Sequence, residues 1–201
     1  MLGPKYGRRP IGRDSKKSSA AFDGRNGFGF GNPRNVDRPM IKRSAGVLLF
    51  RRCSRGVEVL LVHPGGPFWQ RRNLGSWSIP KGEYDFEKES ALEAAKRELQ
   101  EETGIVVSGE FFELGAFVQP SGKLVSAWAT ESDFDPSHLR SNACRIEWPP
   151  HSGHFSDVPE IDRVQWFSVD EALTKIVKGQ VGIVQALVQK VGEPKREQSA
   201  D

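Results

Sequence analysis

The sequence predicts an α/β protein in which a mixed β-sheet is sandwiched between helices on both faces. Three observations support this: strand-like runs precede a strong helix, further strands follow it, and two more helices come last. Of the 201 residues, 37% are hydrophobic and 27% are charged, as in a globular protein and not a disordered or fibrous one. A chain of this length is expected to form one domain with tails.

Runs of β-branched and leucine-rich residues predict the strands, and they lie at 44–50, 57–62, 76–79, 111–118 and 124–130. The first two are predicted to pair, and the last two are predicted to form a hairpin. Pro-Lys-Gly at 80–82 is expected to interrupt the third. A second hairpin-like pair is predicted from 143–148 and 161–167, which are separated by a loop rich in Pro, Gly, His and Ser.

Capping residues predict the helices. A capping box that begins at Ser90 and a glycine at Gly104 predict a helix over about 91–103. A second capping box, at Ser168, predicts a helix that ends at Gly179, and an apolar helix follows it.

The ends of the chain are predicted to be tails that flank a domain over 40–192. Residues 1–39 hold nine Lys or Arg against three Asp, are rich in glycine and lack apolar periodicity, so they are expected to be disordered. Met40 comes directly before the first strand, so 1–39 is interpreted either as a tail or as an extension ahead of the true start. A nucleic-acid arm or a transit peptide is not favoured, because acidic residues are interspersed. Residues 193–201 form a polar tail.

Two further features bear on the compartment. No run approaches 18 apolar residues, so no membrane span is expected. Cys53 and Cys144 are too few for a disulfide framework and lack the spacing of a zinc site. These features favour a reducing, cytoplasmic setting.

Three carboxylates of the predicted helix share one quadrant beside its apolar line, and they are Glu98, Glu101 and Glu102. Like charges at this spacing repel each other, and partial burial strengthens the repulsion. A hard divalent cation with oxygen ligands relieves it. The alternative is a solvated acidic helix face.

A wider pattern favours the metal site, and it comprises Gly82, Glu89, Arg97-Glu98-Leu99, Glu101-Glu102 and Gly104-Ile105. It resembles the Nudix box, Gly-x5-Glu-x7-Arg-Glu-apolar-x-Glu-Glu-x-Gly-apolar. From Glu89 onward every fixed position matches, over 17 residues in a strand-loop-helix context. One departure is that six residues, not five, separate Gly82 from Glu89.

The resemblance implies the Nudix fold and a hydrolase that splits a phosphoanhydride of a nucleoside diphosphate linked to another group, with Mg²⁺ or Mn²⁺. It implies that Glu98, Glu101, Glu102 and the carbonyl of Gly82 bind the metal. Glu98 is also the nearest candidate to orient or deprotonate the water. The structural residues of the motif are Glu89, Arg97 and Gly104, and Arg97 is expected to position a glutamate through a bidentate pair.

The substrate is expected to be a nucleotide, and the Pro-Lys-Gly start of the box resembles the hydrolases of dinucleoside polyphosphates. Lys81, Arg71 and Arg72 are candidates to bind phosphate, and Phe68, Trp69 and Trp77 to stack a base. Core packing remains an alternative for the aromatic residues, as does a solvated loop for the arginines. A (d)NTP pyrophosphohydrolase, an RNA 5′-end pyrophosphohydrolase and a ligand sensor that binds without cleaving also remain open. The oligomeric state is not predicted.

A second catalytic carboxylate is expected outside the box. In the family that the box resembles, a distant glutamate on a closing loop often activates the water, and the loop over 149–159 delivers Glu160 where the next strand begins. Glu160 is therefore a candidate base. The alternatives are a strand-entry residue that faces water, and Glu147 as the base.

Overall fold

The computed structural model describes residues 42–192, so the predicted tails at 1–39 and 193–201 lie outside the described residues. In chain order the elements are β1 (Arg43–Cys53), β2 (Gly56–Pro64), β3 (Lys81–Glu83), α1 (Ala91–Thr103), β4 (Phe112–Val118), β5 (Leu124–Glu131), β6 (Ala143–Glu147), β7 (Phe155–Pro159), β8 (Ile161–Ser168), α2 (Val169–Lys175) and α3 (Val181–Val191). Two 3₁₀ turns lie at Pro136–His138 and Lys178–Gln180. No helix in the described part of the chain is long and apolar enough to span a membrane.

The main sheet is mixed, which confirms the predicted fold class. Its strands follow the order β4, β5, β1, β2, β8, and β1 runs parallel to β5 while the other pairs are antiparallel. The short strand β3 pairs with the start of β1, where Ala45 lies opposite Gly82. The run predicted at 76–79 ends at a bend at Pro80, but Lys81 and Gly82 form a strand, so that part of the predicted interruption is wrong. Within 76–79, Trp77 and Ser78 make single bridges.

The alternation of side chains along β1 divides the core between the two faces of the sheet. Leu48 and Phe50 belong to a cluster that packs against α2 and α3, while Val47 and Leu49 belong to a second cluster that packs against α1. Successive residues of a strand point to opposite faces, so a run that is apolar throughout indicates a strand buried on both sides. The predicted sandwich of helix, sheet and helix is confirmed.

The second predicted hairpin is wrong in its pairing. Residues 143–147 form β6, which pairs with β7 in a separate two-stranded sheet. The strand at 161–168 instead pairs with β2 at the edge of the main sheet. β7 was not predicted because its exposed Ser156 and Asp157 make it read as a polar loop.

The second helix is shorter than predicted. α2 begins at the predicted capping box but ends at Lys175, not at Gly179, because Ile176 returns to an extended conformation. Ile176 forms a parallel β-bridge with Trp77. In the turn that follows, the buried Gln180 side chain accepts a hydrogen bond from the backbone N–H of Ile79 at 2.9 Å.

Candidate active site

Helix α1 begins and ends where its capping residues require. The Ser90 side chain accepts from the N–H of Glu93, and the Glu93 side chain accepts from the N–H of Ser90, which satisfies two free donors. At the other end Gly104 adopts φ +73°, a left-handed conformation that glycine reaches without strain. The buried Ala95 and Leu99 hold the helix on the sheet. The carboxylates predicted to bind metal lie in its last two turns.

Glu102 is the buried member of this group, with 8% of its surface exposed. Its Oε2 accepts a hydrogen bond from the backbone N–H of Lys81 at 3.0 Å. Burial raises the pKa of the Glu102 carboxyl to about 7, although the charge and the N–H of Lys81 act to lower it. The negative charges of Glu160 and Glu98 raise the pKa further. Glu102 therefore lies in a space that other carboxylates share.

Glu98 lies against β3, where its carboxylate packs on Gly82. A Cβ at position 82 would come within 1.9 Å of Cδ of Glu98. Glycine has no Cβ, so it alone leaves room for the Glu98 carboxylate in this position. The side chain of Glu98 is 13% exposed. Gly82 and Glu98, which lie in different elements, are thus brought together as the sequence pattern predicted.

Arg97 binds the remaining charges of the group. Its Nη2 donates to Oε1 of Glu89 at 2.8 Å and its Nε donates to Oε2 at 3.3 Å, which is the expected bidentate pair. Its Nη1 also donates to Glu98 at 2.7 Å and to Glu101 at 3.0 Å. Hydrogen bonds to these carboxylates, chiefly to Glu89, raise the pKa of Arg97. Arg97 therefore holds Glu98 and Glu101 on one side of the helix.

The donor set suits a hard divalent cation, although the carboxylates do not enclose one as they lie. Among residues 42–192, no three Asp, Glu, His or Cys side chains are close enough together to hold a metal ion. Glu98 and Glu101 accept hydrogen bonds from Arg97, whereas Glu102 accepts one from the backbone N–H of Lys81. Two features support the fit of a cation. Glu102 is a buried carboxylate with a raised pKa and one backbone donor, and the carboxylate of Glu98, which packs on Gly82, is close enough to act on its charge.

Glu160 lies just before β8, at the edge of the main sheet, and it is the candidate base that the sequence suggests. Its N–H donates to the carbonyl of Asn142 at 2.8 Å, and its carbonyl accepts from the N–H of Gly65 at 2.9 Å. Its side chain is exposed, and its charge acts on Glu102. The competing Glu147 accepts from the N–H of Gly153 at 2.6 Å, a bond within its own hairpin.

The candidate substrate residues differ in their placement. Lys81 lies in β3 beside Glu102, and Arg71 and Arg72 are exposed on the loop after β2. Phe68 is about half exposed, and the guanidinium of Arg72 stacks on its ring at 4.2 Å from the centroid. Trp77 is 1% exposed and its Nε1 donates to Asn73, so this ring belongs to the core and the stacking prediction is corrected.

Comparison with known proteins identifies the family of this chain. The NUDIX domain profile matches residues 40–187. This chain belongs to the Nudix family. It is 30% identical to the 8-oxo-(d)GTP phosphatase of Mycolicibacterium smegmatis over 145 residues, which cover 67% of this chain and 37% of that protein. The chain thus spans little more than a third of the curated relative that it matches.

Two solved structures share the Nudix fold with this chain. The NUDIX domain of Shewanella oneidensis NrtR, solved with ADP ribose, has a TM-score of 0.54 and 15% identity, covering 80% of this chain and 95% of that one. The Ap4A hydrolase of C. elegans has a TM-score of 0.52 and 18% identity, covering 76% of this chain and 100% of that one. At identities of 15% and 18%, these similarities show a shared fold and nothing about substrate.

The extra residue in the Nudix box is absorbed by a turn. The N–H groups of Lys88 and Glu89 both donate to the carbonyl of Asp85, at 3.0 and 3.1 Å. The turn lies between the two fixed positions, so Gly82 still reaches Glu98 and Glu89 still reaches Arg97. The departure from the pattern therefore leaves both contacts in place.

Two residues that hold the Nudix site together were not predicted. Asn142 and Gly65 fix the backbone of Glu160, and a Cβ at Gly65 would come within 1.9 Å of the carbonyl oxygen of Pro159. The Gly-Gly pair after β2 is a signal of such a close approach. Asn142 acts through its backbone, so its side chain gives no signal in the sequence.

Proposed function

We propose that this protein is a metal-dependent hydrolase of a phosphoanhydride bond in a nucleoside diphosphate that is linked to another group. The observation that carries the proposal is the meeting of Glu98 and Glu102 with Gly82 and Lys81, with Glu160 close enough to act on the Glu102 charge. A solvated acidic helix face does not bury a glutamate at its last turn. Buried carboxylates without a paired cation are costly in free energy, and they are characteristic of functional sites.

Each residue has a part in this proposal. Glu98, Glu101 and Glu102 would hold Mg²⁺ or Mn²⁺, together with the carbonyl of Gly82. The cation would neutralise charge at the phosphates and lower the pKa of a bound water. Arg97 positions Glu98 and Glu101 through the bonds that it donates to them. Glu160 accepts the proton of the attacking water, and its exposed carboxylate is free of the bond that ties Glu147 to its hairpin.

The proposed substrate is a dinucleoside polyphosphate. Lys81 stands beside the carboxylates, while Arg71 and Arg72 lie on a loop whose first N–H, at Gly65, donates to the carbonyl of Glu160. Cations at both places suit a chain of phosphates longer than a single pyrophosphate. Phe68, whose ring is partly exposed, is the remaining candidate to stack a base.

A second candidate is a (d)NTP pyrophosphohydrolase. It is favoured by the 30% identity to a protein named as an 8-oxo-(d)GTP phosphatase. In this case the nucleotide presents one triphosphate, and Arg71 and Arg72 are not needed. Substituting both arginines should then leave turnover of the mononucleotide unchanged.

The deciding experiment compares diadenosine tetraphosphate with 8-oxo-dGTP in the presence of Mg²⁺, with products separated by anion exchange. Asymmetric cleavage to ATP and AMP supports the dinucleotide proposal. Two ADP molecules contradict the asymmetric cleavage, and preferential turnover of 8-oxo-dGTP with release of pyrophosphate supports the second candidate. An RNA 5′-end substrate that needs residues 1–39 loses turnover when these are removed. Binding without turnover of any nucleotide contradicts an enzyme and leaves a ligand sensor.

A further inference from the structure

A buried histidine outside the proposed catalytic group connects two parts of the site. His63 lies near the end of β2 and is 0% exposed. Its Nδ1 lies 2.7 Å from Oδ1 of Asp162, and its Nε2 lies 2.8 Å from the carbonyl oxygen of Arg72. The ring meets Trp77 edge to face, with centroids 5.0 Å apart. Neither the box nor the proposed mechanism uses this residue.

The bond from His63 to the loop requires a proton on Nε2. The Arg72 carbonyl can only accept, so Nε2 carries the N–H that donates to it. At Nδ1 the ring faces both an acceptor, Oδ1 of Asp162 at 2.7 Å, and a donor, Nη2 of Arg163 at 2.9 Å. The bond to the Arg72 carbonyl is therefore the one whose direction the geometry fixes.

Arg163 completes the surroundings of the ring. Its Nη2 lies 2.9 Å from Nδ1 and 3.0 Å from Nε2 of the ring. Its Nε lies 3.3 Å from the same Asp162 oxygen that faces His63. The Asp162 carboxylate therefore lies beside both the His63 ring and the Arg163 guanidinium.

The bond to Arg72 closes the loop over 64–75. This loop carries Phe68, Arg71 and Arg72. Near its start, the N–H of Gly65 donates to the carbonyl of Glu160. Asp162 comes two residues after Glu160 in the chain. His63 therefore joins the far end of the loop to the strand that begins beside Glu160.

We propose that His63, held by Asp162, is a positioning residue that fixes the loop over 64–75, and with it Arg71 and Arg72, relative to Glu160. This inference rests on the proposed function for its effect on substrate, because the loop is taken to bind phosphate. The clasp itself, meaning His63 with Asp162 and the Arg72 carbonyl, is a property of the fold and is measurable without turnover.

The bond to Arg72 is tested first, on the full chain. Long-range ¹H–¹⁵N NMR shows which ring nitrogens carry a proton, and the chain has four histidines. The His63→Phe variant assigns the signal by its disappearance. We expect a protonated Nε2, which the bond to the Arg72 carbonyl requires. A signal with an unprotonated Nε2 overturns the clasp.

The position of the loop is tested with trypsin, because Arg71 and Arg72 are exposed cleavage sites. Below the melting temperature, His63→Phe should raise the cleavage rate after these residues at least about tenfold, since one bond to the loop is lost. Cleavage after Lys96 in α1 should stay unchanged. Unchanged cleavage at the loop, or an equal rise at both places, contradicts a local clasp.

Asp162→Asn is the matched control. An asparagine side chain holds both a donor and an acceptor that can face Nδ1, and Nε2–H still reaches the Arg72 carbonyl, so the clasp persists. Asp162→Ala offers no such partner. We expect loop cleavage near the wild-type rate in Asp162→Asn and a faster rate in Asp162→Ala. If His63→Phe does not fold, this pair still decides the matter.

Turnover of diadenosine tetraphosphate gives the last readout. His63→Phe and Asp162→Ala should raise KM roughly tenfold with kcat within about threefold, while Asp162→Asn keeps both near wild type. A fall in kcat alone contradicts positioning of the phosphate loop. If the wild type turns over no nucleotide, the proposed function fails, while the NMR and trypsin results still test the clasp.

Discussion

The buried carboxylate of Glu102 predicts a variant that is more stable and less active than the wild type. A group whose pKa rises from 4.5 to about 7 on folding has a charged form that is destabilised by about 3 kcal/mol. Glu102→Gln removes this charge and keeps an amide oxygen that accepts from the N–H of Lys81. We therefore expect it to stabilise the metal-free protein by about 1–3 kcal/mol above pH 7.

The pH dependence follows from the direction of the pKa change. Below pH 4.5 the Glu102 carboxyl is neutral in both the folded and the unfolded state, so it has no effect on the free energy of unfolding. Between pH 4.5 and about 7 the unfolded state releases a proton that the folded state keeps, so stability falls as the pH rises. Above that window the full destabilisation is present. Glu102→Gln should lack this fall.

Thermal unfolding in EDTA at pH 5 and pH 8 measures the effect. At pH 8 the variant should melt roughly 4–8 °C above the wild type, and at pH 5 the difference should shrink. Glu101→Gln is the control, because the Glu101 side chain is 49% exposed and its removal should stabilise nothing. A melting temperature of Glu102→Gln at or below that of the wild type at pH 8 refutes the electrostatic reasoning.

Four further outcomes are expected. Glu98→Gln keeps the shape of the side chain but removes a ligand charge, so kcat should fall by about two to four decades, and EDTA should abolish wild-type turnover. Gly82→Ala places a methyl group on the Glu98 carboxylate, the flexible end of a side chain, so Mg²⁺ affinity measured by calorimetry should fall while the melting temperature changes by less than about 2 °C. Glu160→Gln should lower kcat while Mg²⁺ affinity stays nearly unchanged, and wild-type kcat would return the role of base to Glu98. Arg97→Lys keeps the charge but loses the bidentate pair with Glu89, so it should lower kcat at least about tenfold, and full activity would show that position 97 needs only a charge.

The parts of the structure that depend on local sequence were predictable. The bounds of α1 follow from Ser90 and Gly104, because capping bonds join residues three or four positions apart. The hairpin of β4 and β5 follows in the same way, since a Pro-Ser-Gly turn joins neighbouring runs. The bidentate pair of Arg97 with Glu89 was predictable because a recurring motif carries that contact within it.

The parts that depend on distant contacts were not predictable. The strand at 161–168 pairs with β2, about one hundred residues earlier, and nothing in its own sequence chooses that partner over β6. Trp77 has the residue type of a stacking platform, yet its 1% exposure follows from α2 and β8 packing over it. His63 has no motif around it, and its role appears only when Asp162 and Arg72 are brought to its two nitrogens.

The three carboxylates of α1 show why Glu102 carries the sharpest test. Glu101 is half exposed to water, and Glu98 receives a strong bond from Arg97, so both charges are compensated within the protein. Glu102 is buried and receives one backbone N–H, and the charges nearest to it include two other carboxylates. A side chain whose pKa is about 7 in the metal-free protein is only partly charged near neutral pH, and the proposed binding of a divalent cation would require its charged form, so the protonation of Glu102 would link stability to binding. Glu102→Gln removes that charge, so it should stabilise the metal-free protein and weaken the binding of Mg²⁺ together.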